Sequence, residues 1–369
     1  MQTRVIMLVD LDYFFAQCEE LRNPSIKDSP VVVGVYSGRT EDSGAVSTAN
    51  YVAREHGVKS GMPLFLAKKK LENTNAMFLP VDFALYDEIS EKVMTLLKSH
   101  ADRFEQVGID EAYLDVTQGT NGSFEEARAL AEEIRNELRT QQKLTCSIGV
   151  GPNKLVAKIA ADSKKPDGLT VVKPEQVESF LSPLPVGHLI GVGTKTREKM
   201  QTMGINTIFD LASFDMQKLI AAFAKTSATY FHKAALGSDD EPVEPKGEPE
   251  SISRISTLKQ DSHDLNFILE KTDQQCNEIH AQITEEKVAF KTIGLIVITS
   301  DLSTHTRSKS FETPTIEREA MKVAVRELLE RFLNETELKA RRVGVKISNL
   351  ARKEKHQKQL ISFMELGKG

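Results

Sequence analysis

The run "RVIMLVDL" at residues 4–11 is apolar at both parities until Asp10. That pattern predicts a central strand covered on both faces. A helical period passes through Phe83, Tyr86, Ile89, Val93 and Leu96. A short strand is expected near 103–107, and another from about Glu111 to Thr117. Ser123 and Glu126 form a capping box. Behind it, Phe124, Ala127, Leu130, Ile134 and Leu138 mark the next helix, and "LTCSIGV" at 144–150 is a further strand. With residues 14–80 set aside as an inserted, mostly helical lobe, the order is β-α-β-β-α-β, the ferredoxin-like order.

Residues 173–236 read as a separate helical unit. The stretch "GSDDEPVEPKGEPES", 237–251, holds three prolines and six acids and reads as an extended linker. Beyond it, strands near 252–259, 291–300, 304–312 and 340–348 alternate with helical periods at 264–286 and 315–333. This is β-α-β-β-α-β a second time, without a matching acidic cluster. The residues from about 351 read as a mobile tail. The expected class is α+β.

Composition narrows this little. Of 369 residues, 40% are hydrophobic and 27% charged, as in ordinary soluble globular proteins. The net charge of −5 does not advertise nucleic acid. Its distribution is uneven: residues 1–245 carry 27 basic and 34 acidic side chains, and 246–369 carry 21 and 19. Between Lys339 and Lys358, eight basic residues face one acid, either a solvated face or a phosphate-contact strip. Cys18, Cys146 and Cys276 form no CxxC pair, so neither a zinc site nor a disulfide framework is indicated, and a reducing cytosol is expected. No 18-residue apolar stretch or signal-like segment is present, which predicts a soluble, intracellular protein.

The chemistry concentrates where strands converge. In a ferredoxin-like sheet the first and third strands are antiparallel neighbours. Asp10, which closes the first, is therefore expected beside Asp110 and Glu111, which open the third. Adjacent strand residues face opposite ways, so both acids reach one site only if the chain turns there; Gly108 permits that. Three carboxylates at one edge suit hard divalent cations and an in-line displacement at phosphorus. Asp115, further along, is expected to be structural. In "STANYVAR", Thr48, Tyr51 and Arg54 share one face if the segment is helical, and Arg suits phosphate. Lys165 stands at a helix end near a loop. In "LIGVGTKT", Gly191 and Gly193 form a turn that exposes backbone N–H groups at a helix start, and it resembles a helix-hairpin-helix motif. "QKQLISFM" brings Gln357, Leu360, Phe363 and Met364 into a pattern resembling the peptide by which replication proteins dock on the sliding clamp PCNA. Met364 stands where that pattern usually has a second aromatic.

With "VDLDYFFAQCEE", "SGAVSTANYVAREHGVKSGMP", "IDEAYLD", "GPNKLVAKIAADSKKPDG" and "LIGVGTKT" in order and register, the chain resembles the Y-family DNA polymerases of the DinB type in their archaeal form. The resemblance covers about 1–350. It implies a palm at 1–13 and 81–172, fingers at 14–80, a helix-hairpin-helix thumb at 173–236, a linker at 237–251, a little finger at 252–350 and a clamp-binding tail at 351–369. It implies that Asp10, Asp110 and Glu111, with the Leu11 carbonyl, hold two Mg2+ ions. Phe15 matches the steric gate against ribonucleotides. Phe14, Phe15, Thr48, Tyr51, Arg54 and Lys165 match the nucleotide site. Gly191, Gly193 and Lys195 in the thumb, and Arg341 and Arg342 in the last domain, are expected on DNA. One departure is Gly108, where the family usually has Ser.

The implied activity is low-fidelity, template-directed translesion synthesis on a primer end by two-metal nucleotidyl transfer, without proofreading, in a cytoplasmic monomer. The small side chains of "SGAVSTA" fit a roomy site, and no segment is left over for an exonuclease domain. A nucleotidyl cyclase uses similar paired acids, but would need neither the thumb turn nor the second βαββαβ unit. A catalytically idle DNA-binding protein would not need the acid trio.

Overall fold

The structure, a computed structural model, describes residues 3–245 and 247–352. Gln357, Leu360, Phe363 and Met364 lie outside the described residues. Two compact units emerge: Met1–Val35 with Ala45–Lys246, and Tyr36–Gly44 with the residues from Gly247 onward.

The first unit carries strands β1 (Ile6–Leu11), β2 (Val31–Tyr36), β3 (Gly44–Ala49), β4 (Met77–Pro80), β5 (Arg103–Gln106), β6 (Glu111–Asp115), β7 (Cys146–Gly151) and β8 (Leu169–Val171), β2 and β3 reaching its boundary. Five of them form a sheet in the order β5-β6-β1-β7-β8. β1 is central and antiparallel to both β6 and β7, as the sequence order demanded. All six of its residues are buried, which explains the unbroken apolar run. The helices Phe83–Ser99 and Phe124–Glu137 cover the sheet with the periodic residues expected, except Phe83, which is exposed, and Ser123 accepts the Glu126 N–H at 3.3 Å.

The 14–80 segment differs from expectation. It is not mostly helical: β3, β2 and β4 form a sheet, with β2 and β4 parallel. Val31, Val32 and Val33 are fully buried in β2. Such a short β-branched run, buried on both faces, shows no alternation to identify it as a strand.

The stretch after Gly237 is extended, yet its first half is docked. Arg4 donates to the carbonyls of Asp239 and, at 2.9 Å, Glu241. The Leu155 N–H donates to Asp239 Oδ2 at 3.0 Å, at the start of the helix Lys154–Ser163. Val243 is 1% exposed and packs with Ile6, Leu8, Tyr113, Ala157 and Ala161.

In the second unit β9 (Ser251–Ser262), β10 (Val288–Thr299), β11 (Thr304–Thr315) and β12 (Ala340–Arg352) form an antiparallel sheet in the order β11-β10-β12-β9. The helices Leu265–Glu286 and Arg318–Glu335 bury one side against it. This is the second β-α-β-β-α-β order read from the sequence.

Candidate active site

Asp10 pairs directly with Glu111 in the β1–β6 register. Between β5 and β6 the chain folds tightly: the N–H groups of Val107 and Gly108 both donate to the Glu111 carbonyl, at 3.1 and 3.2 Å. Asp110 therefore sits in a turn rather than on the strand, and its carbonyl accepts the Leu11 N–H at 2.8 Å. The turn breaks the strand alternation that would otherwise send Asp110 and Glu111 to opposite faces. A Cβ at Gly108 would stand 3.2 Å from Asp110 Oδ1 and 3.3 Å from Glu111 Cγ. Burial, then the charges of Asp10 and Glu111, push the Asp110 carboxyl up to about 6.

Two lysines answer those charges. The helix Lys154–Ser163 lies close on β7, because Gly149 leaves room: a Cβ there would fall 2.0 Å from the Ala157 carbonyl oxygen. This close approach delivers Lys158, whose Nζ donates to Glu111 Oε2 at 2.6 Å and to Asp10 Oδ2 at 3.0 Å. Lys165 Nζ lies 2.8 Å from Asp10 Oδ1 and 2.8 Å from Asp162 Oδ1. Burial pulls the Lys158 ammonium down, but Asp10, Asp162 and Glu111 outweigh it and hold it above the usual lysine range. Among the described residues, no group of three or more His, Cys, Asp and Glu is arranged to hold a metal ion. The donor chemistry nonetheless fits a hard divalent cation: three carboxylates at one edge, with Asp110 pushed upward by burial and by its like-charged neighbours.

Asp12 is not part of the acid edge. It is 1% exposed; its Oδ1 accepts the Ser147 hydroxyl at 2.7 Å and its Oδ2 the Asp167 N–H at 2.8 Å. Tyr13 follows in the left-handed region (φ 35, ψ 45), turning the chain from β1 into the helix Phe14–Arg22. Phe14 is 2% exposed, a core ring, so its side chain is not available to a nucleotide. Phe15 is half-buried and stacks on Tyr86, with ring centroids 4.3 Å apart and planes 12° apart. The Tyr86 hydroxyl donates to Glu19 Oε1 at 2.7 Å, fixing the platform.

Thr48 lies on β3, not on a helix, so the single helical face expected for Thr48, Tyr51 and Arg54 does not exist. The helix Tyr51–Glu55 starts only after Asn50, whose side chain caps it by accepting the Ala53 N–H at 3.0 Å. Tyr51 and Arg54 do associate: the guanidinium carbon stands 4.7 Å from the ring centroid. Tyr51 meets Tyr13 edge-on at 5.5 Å. Burial pushes the Tyr51 hydroxyl up; Arg54 and Lys165 oppose the shift, and Asp12 and Asp10 add to it.

Gly191, at φ +82, and Gly193, the N-cap of the helix Thr194–Thr202, form the turn expected; both glycines and Lys195 are exposed. In the other unit, Arg341 pairs with Asp261 at 3.7 Å, and a register shift separates Ala340 from Arg342 on β12. Asp115 accepts the Thr117 N–H at 2.9 Å, a structural role. The sequence pattern gave no role to Lys158, Asp12 or Tyr86. The spacing Lys158–Asp162–Lys165 put all three on one side of a helix end and was the available signal.

The impB/mucB/samB family pattern matches residues 9–162, and the pattern of that family's C-terminal domain matches 249–360. The chain is 46% identical to the DNA polymerase IV of Nitrosopumilus maritimus, over 95% of this chain and 97% of that one. It is 42% identical to the DNA polymerase IV of Methanosarcina acetivorans, over 98% of this chain and 100% of that one. Among solved structures, a Y-family DNA polymerase chimera of Dbh and Dpo4 superposes with a TM-score of 0.89 at 37% identity, covering 95% of this chain and 100% of that one. DinB from Sulfolobus solfataricus gives 0.64 at 36% identity, with the same coverage. Fold, acid edge and matches define a DNA-directed DNA polymerase of the translesion kind. More particularly, the chain belongs to the impB/mucB/samB family, the DinB type of the Y-family polymerases.

Proposed function

We propose that the edge formed by Asp10, Asp110 and Glu111 is the centre at which a primer 3′-end is extended with a templated dNTP. The observation that carries this reading is the joint placement of three carboxylates and two lysines on one sheet edge. Asp10, Asp110, Glu111 and the Leu11 carbonyl would hold two Mg2+ ions, which when bound supply charge neutralisation for the attacking hydroxyl and the leaving pyrophosphate. Arg54, Tyr51, Thr48 and Lys165 hold the triphosphate. Phe15, backed by Tyr86, presses on the sugar where a 2′-hydroxyl would sit. The palm at 1–13 and 81–172, fingers at 14–80, thumb at 173–236 and little finger at 252–350 divide the work. Primer-template DNA is gripped through phosphates by the turn at Gly191, Gly193 and Lys195 and by Arg341 and Arg342, so binding weakens steeply with salt. Synthesis is of low fidelity, and no step removes a misinserted base. The protein acts as a cytoplasmic monomer, tethered to the clamp PCNA by the tail at Gln357, Leu360, Phe363 and Met364.

Primer extension with single dNTPs and Mg2+ tests the central reading. Wild type extends and Asp110→Ala does not; undiminished extension by the variant would sink it. Removing the residues from Gln357 onward should abolish stimulation by PCNA and spare basal extension. Equal stimulation of both forms refutes the tail's role.

A further inference from the structure

The loop carrying Lys165 is gripped from two sides, and the grip leads back to the acid edge. On one side, Asp12 Oδ2 accepts the Asp167 N–H at 2.8 Å, while its Oδ1 is held by the Ser147 hydroxyl at 2.7 Å. On the other, Arg135 donates to the Asp167 carbonyl and, at 3.0 Å, to Oδ1. Arg139, one helical turn on, donates to both Asp167 carboxylate oxygens, at 2.8 and 2.6 Å. Asp167 itself is held at φ 51. The loop is also pressed close: a Cβ at Gly168 would fall 1.9 Å from the Lys164 carbonyl oxygen, and the Gly168 carbonyl accepts the Ile148 N–H at 2.9 Å.

These contacts close a ring. Asp12 stands two residues beyond Asp10, in the turn that follows β1, Asp167 two residues beyond Lys165, and Lys165 Nζ returns to Asp10 Oδ1 at 2.8 Å. A lysine side chain is long and loses much rotamer freedom when it is fixed, so the placement of its Cα decides where the ammonium stands.

We propose that Asp12, Arg135 and Arg139 are positioning residues for the incoming nucleotide: by gripping Asp167 they set where Lys165 meets the triphosphate. None of the three touches the nucleotide; they act through Lys165. The inference rests on the reading of Lys165 as a triphosphate contact, and its test separates the two. Sub-ångström placement of such a contact decides how much of its binding is realised.

The experiment measures single-turnover extension against dNTP concentration, with primer-template affinity measured in parallel, on the full chain. Arg139→Ala is the main variant, because that side chain is 50% exposed and its loss spares the core. It should raise the half-saturating dNTP concentration about three- to tenfold, leaving the maximal rate within about threefold and DNA affinity unchanged. Asp12→Ala should raise it about tenfold or more, and Asp12→Asn should recover most of that, since an amide oxygen still accepts the Asp167 N–H. Thermal melting checks that Asp12→Ala folds; if it does not, Arg139→Ala and Asp12→Asn decide.

On a Lys165→Ala background, Arg139→Ala should add nothing. If Lys165→Ala raises the half-saturating concentration while Arg139→Ala alone leaves it unchanged, or adds its full effect to the double variant, the grip is only structural and the proposal is overturned. If Lys165→Ala itself changes nothing, the triphosphate reading of Lys165 falls, and the proposal with it.

Discussion

Lys158 Nζ stands 2.6 Å from Glu111 Oε2, beside a carboxylate cluster drawn from two strands and the turn that opens the second. It also reaches Asp10. This ammonium screens acids that would otherwise face one another across a half-buried edge, which gives two opposed expectations for protein kept in EDTA. Lys158→Met should lower stability by about 1–3 kcal/mol, because it leaves Glu111 without its ammonium and Asp10 with Lys165 alone. Asp110→Asn should raise stability while abolishing extension, because it removes one of three mutually repelling carboxylates. Urea unfolding compares them. Added Mg2+ should stabilise Lys158→Met more than wild type, since it competes with no ammonium for Asp10 and Glu111. Equal unfolding midpoints for both variants and wild type would remove the electrostatic account of this edge.

Phe15 stacks on Tyr86 within 12° of parallel, and Phe83 closes on it edge-to-face at 6.1 Å. A ring held between two others swings aside poorly, so in its proposed role as the sugar gate it would act by clash rather than by a polar contact. Phe15→Ala should therefore lower discrimination against ribonucleotides by roughly a hundredfold. Tyr86→Phe keeps the stack, loses the bond to Glu19 and should retain most of the discrimination. Insertion rates for dNTP and rNTP on one template decide the matter. An unchanged ratio in Phe15→Ala means that another group guards the sugar.

The acid edge was legible because two independent features agreed. β1 is apolar at every position until Asp10, and the βαββαβ order makes its neighbour the strand that opens at Glu111. The sheet at 31–80 was not legible: Val31–Val33 is buried on both faces, and such a run carries no period. Thr48 shares a face with Tyr51 and Arg54 only if the segment is helical throughout, but Asn50 caps the helix after it. The role of Lys158 was hidden for another reason. Helical periodicity reports the buried face, while a charged residue acquires its meaning from acids on other strands.

The three cysteines, scattered in sequence, share one physical state. Burial pushes the Cys18 and Cys276 thiols up to about 12 and raises Cys146 as well. Native protein at pH 8 should therefore resist a thiol-specific disulfide reagent for many minutes, whereas guanidinium-unfolded protein reacts at all three positions. These thiols stay protonated in the folded state where the unfolded chain already ionises. Their contribution to stability is whole below the ordinary thiol value near 9.0 and is lost as pH rises from there toward 12. Rapid labelling of any cysteine in native protein would contradict this burial.

Val243 explains why the first half of an acidic, proline-rich stretch is held down rather than loose. Its side chain is buried among Ile6, Leu8, Tyr113, Ala157 and Ala161, on the sheet side that carries β1. Around it, Lys154 pairs with Glu105 at 2.9 Å and Glu241 at 3.4 Å, and Asp239 meets the N-terminal turn of the helix Lys154–Ser163, where a carboxylate is favoured. Composition showed only the prolines and acids; one apolar residue in fifteen gives no pattern, and its docking depends on partners distant in sequence. Val243→Asp buries a carboxylate without a partner and should cost about 2–4 kcal/mol of docking. Asp239→Ala, losing one hydrogen bond at a helix start, should cost about 1 kcal/mol. Limited proteolysis of native protein reads the difference: cleavage within 237–251 should be fast in Val243→Asp, slower in Asp239→Ala and slowest in wild type. If wild type is cut there as fast as Val243→Asp, the docked segment opens too readily for Val243 to anchor it.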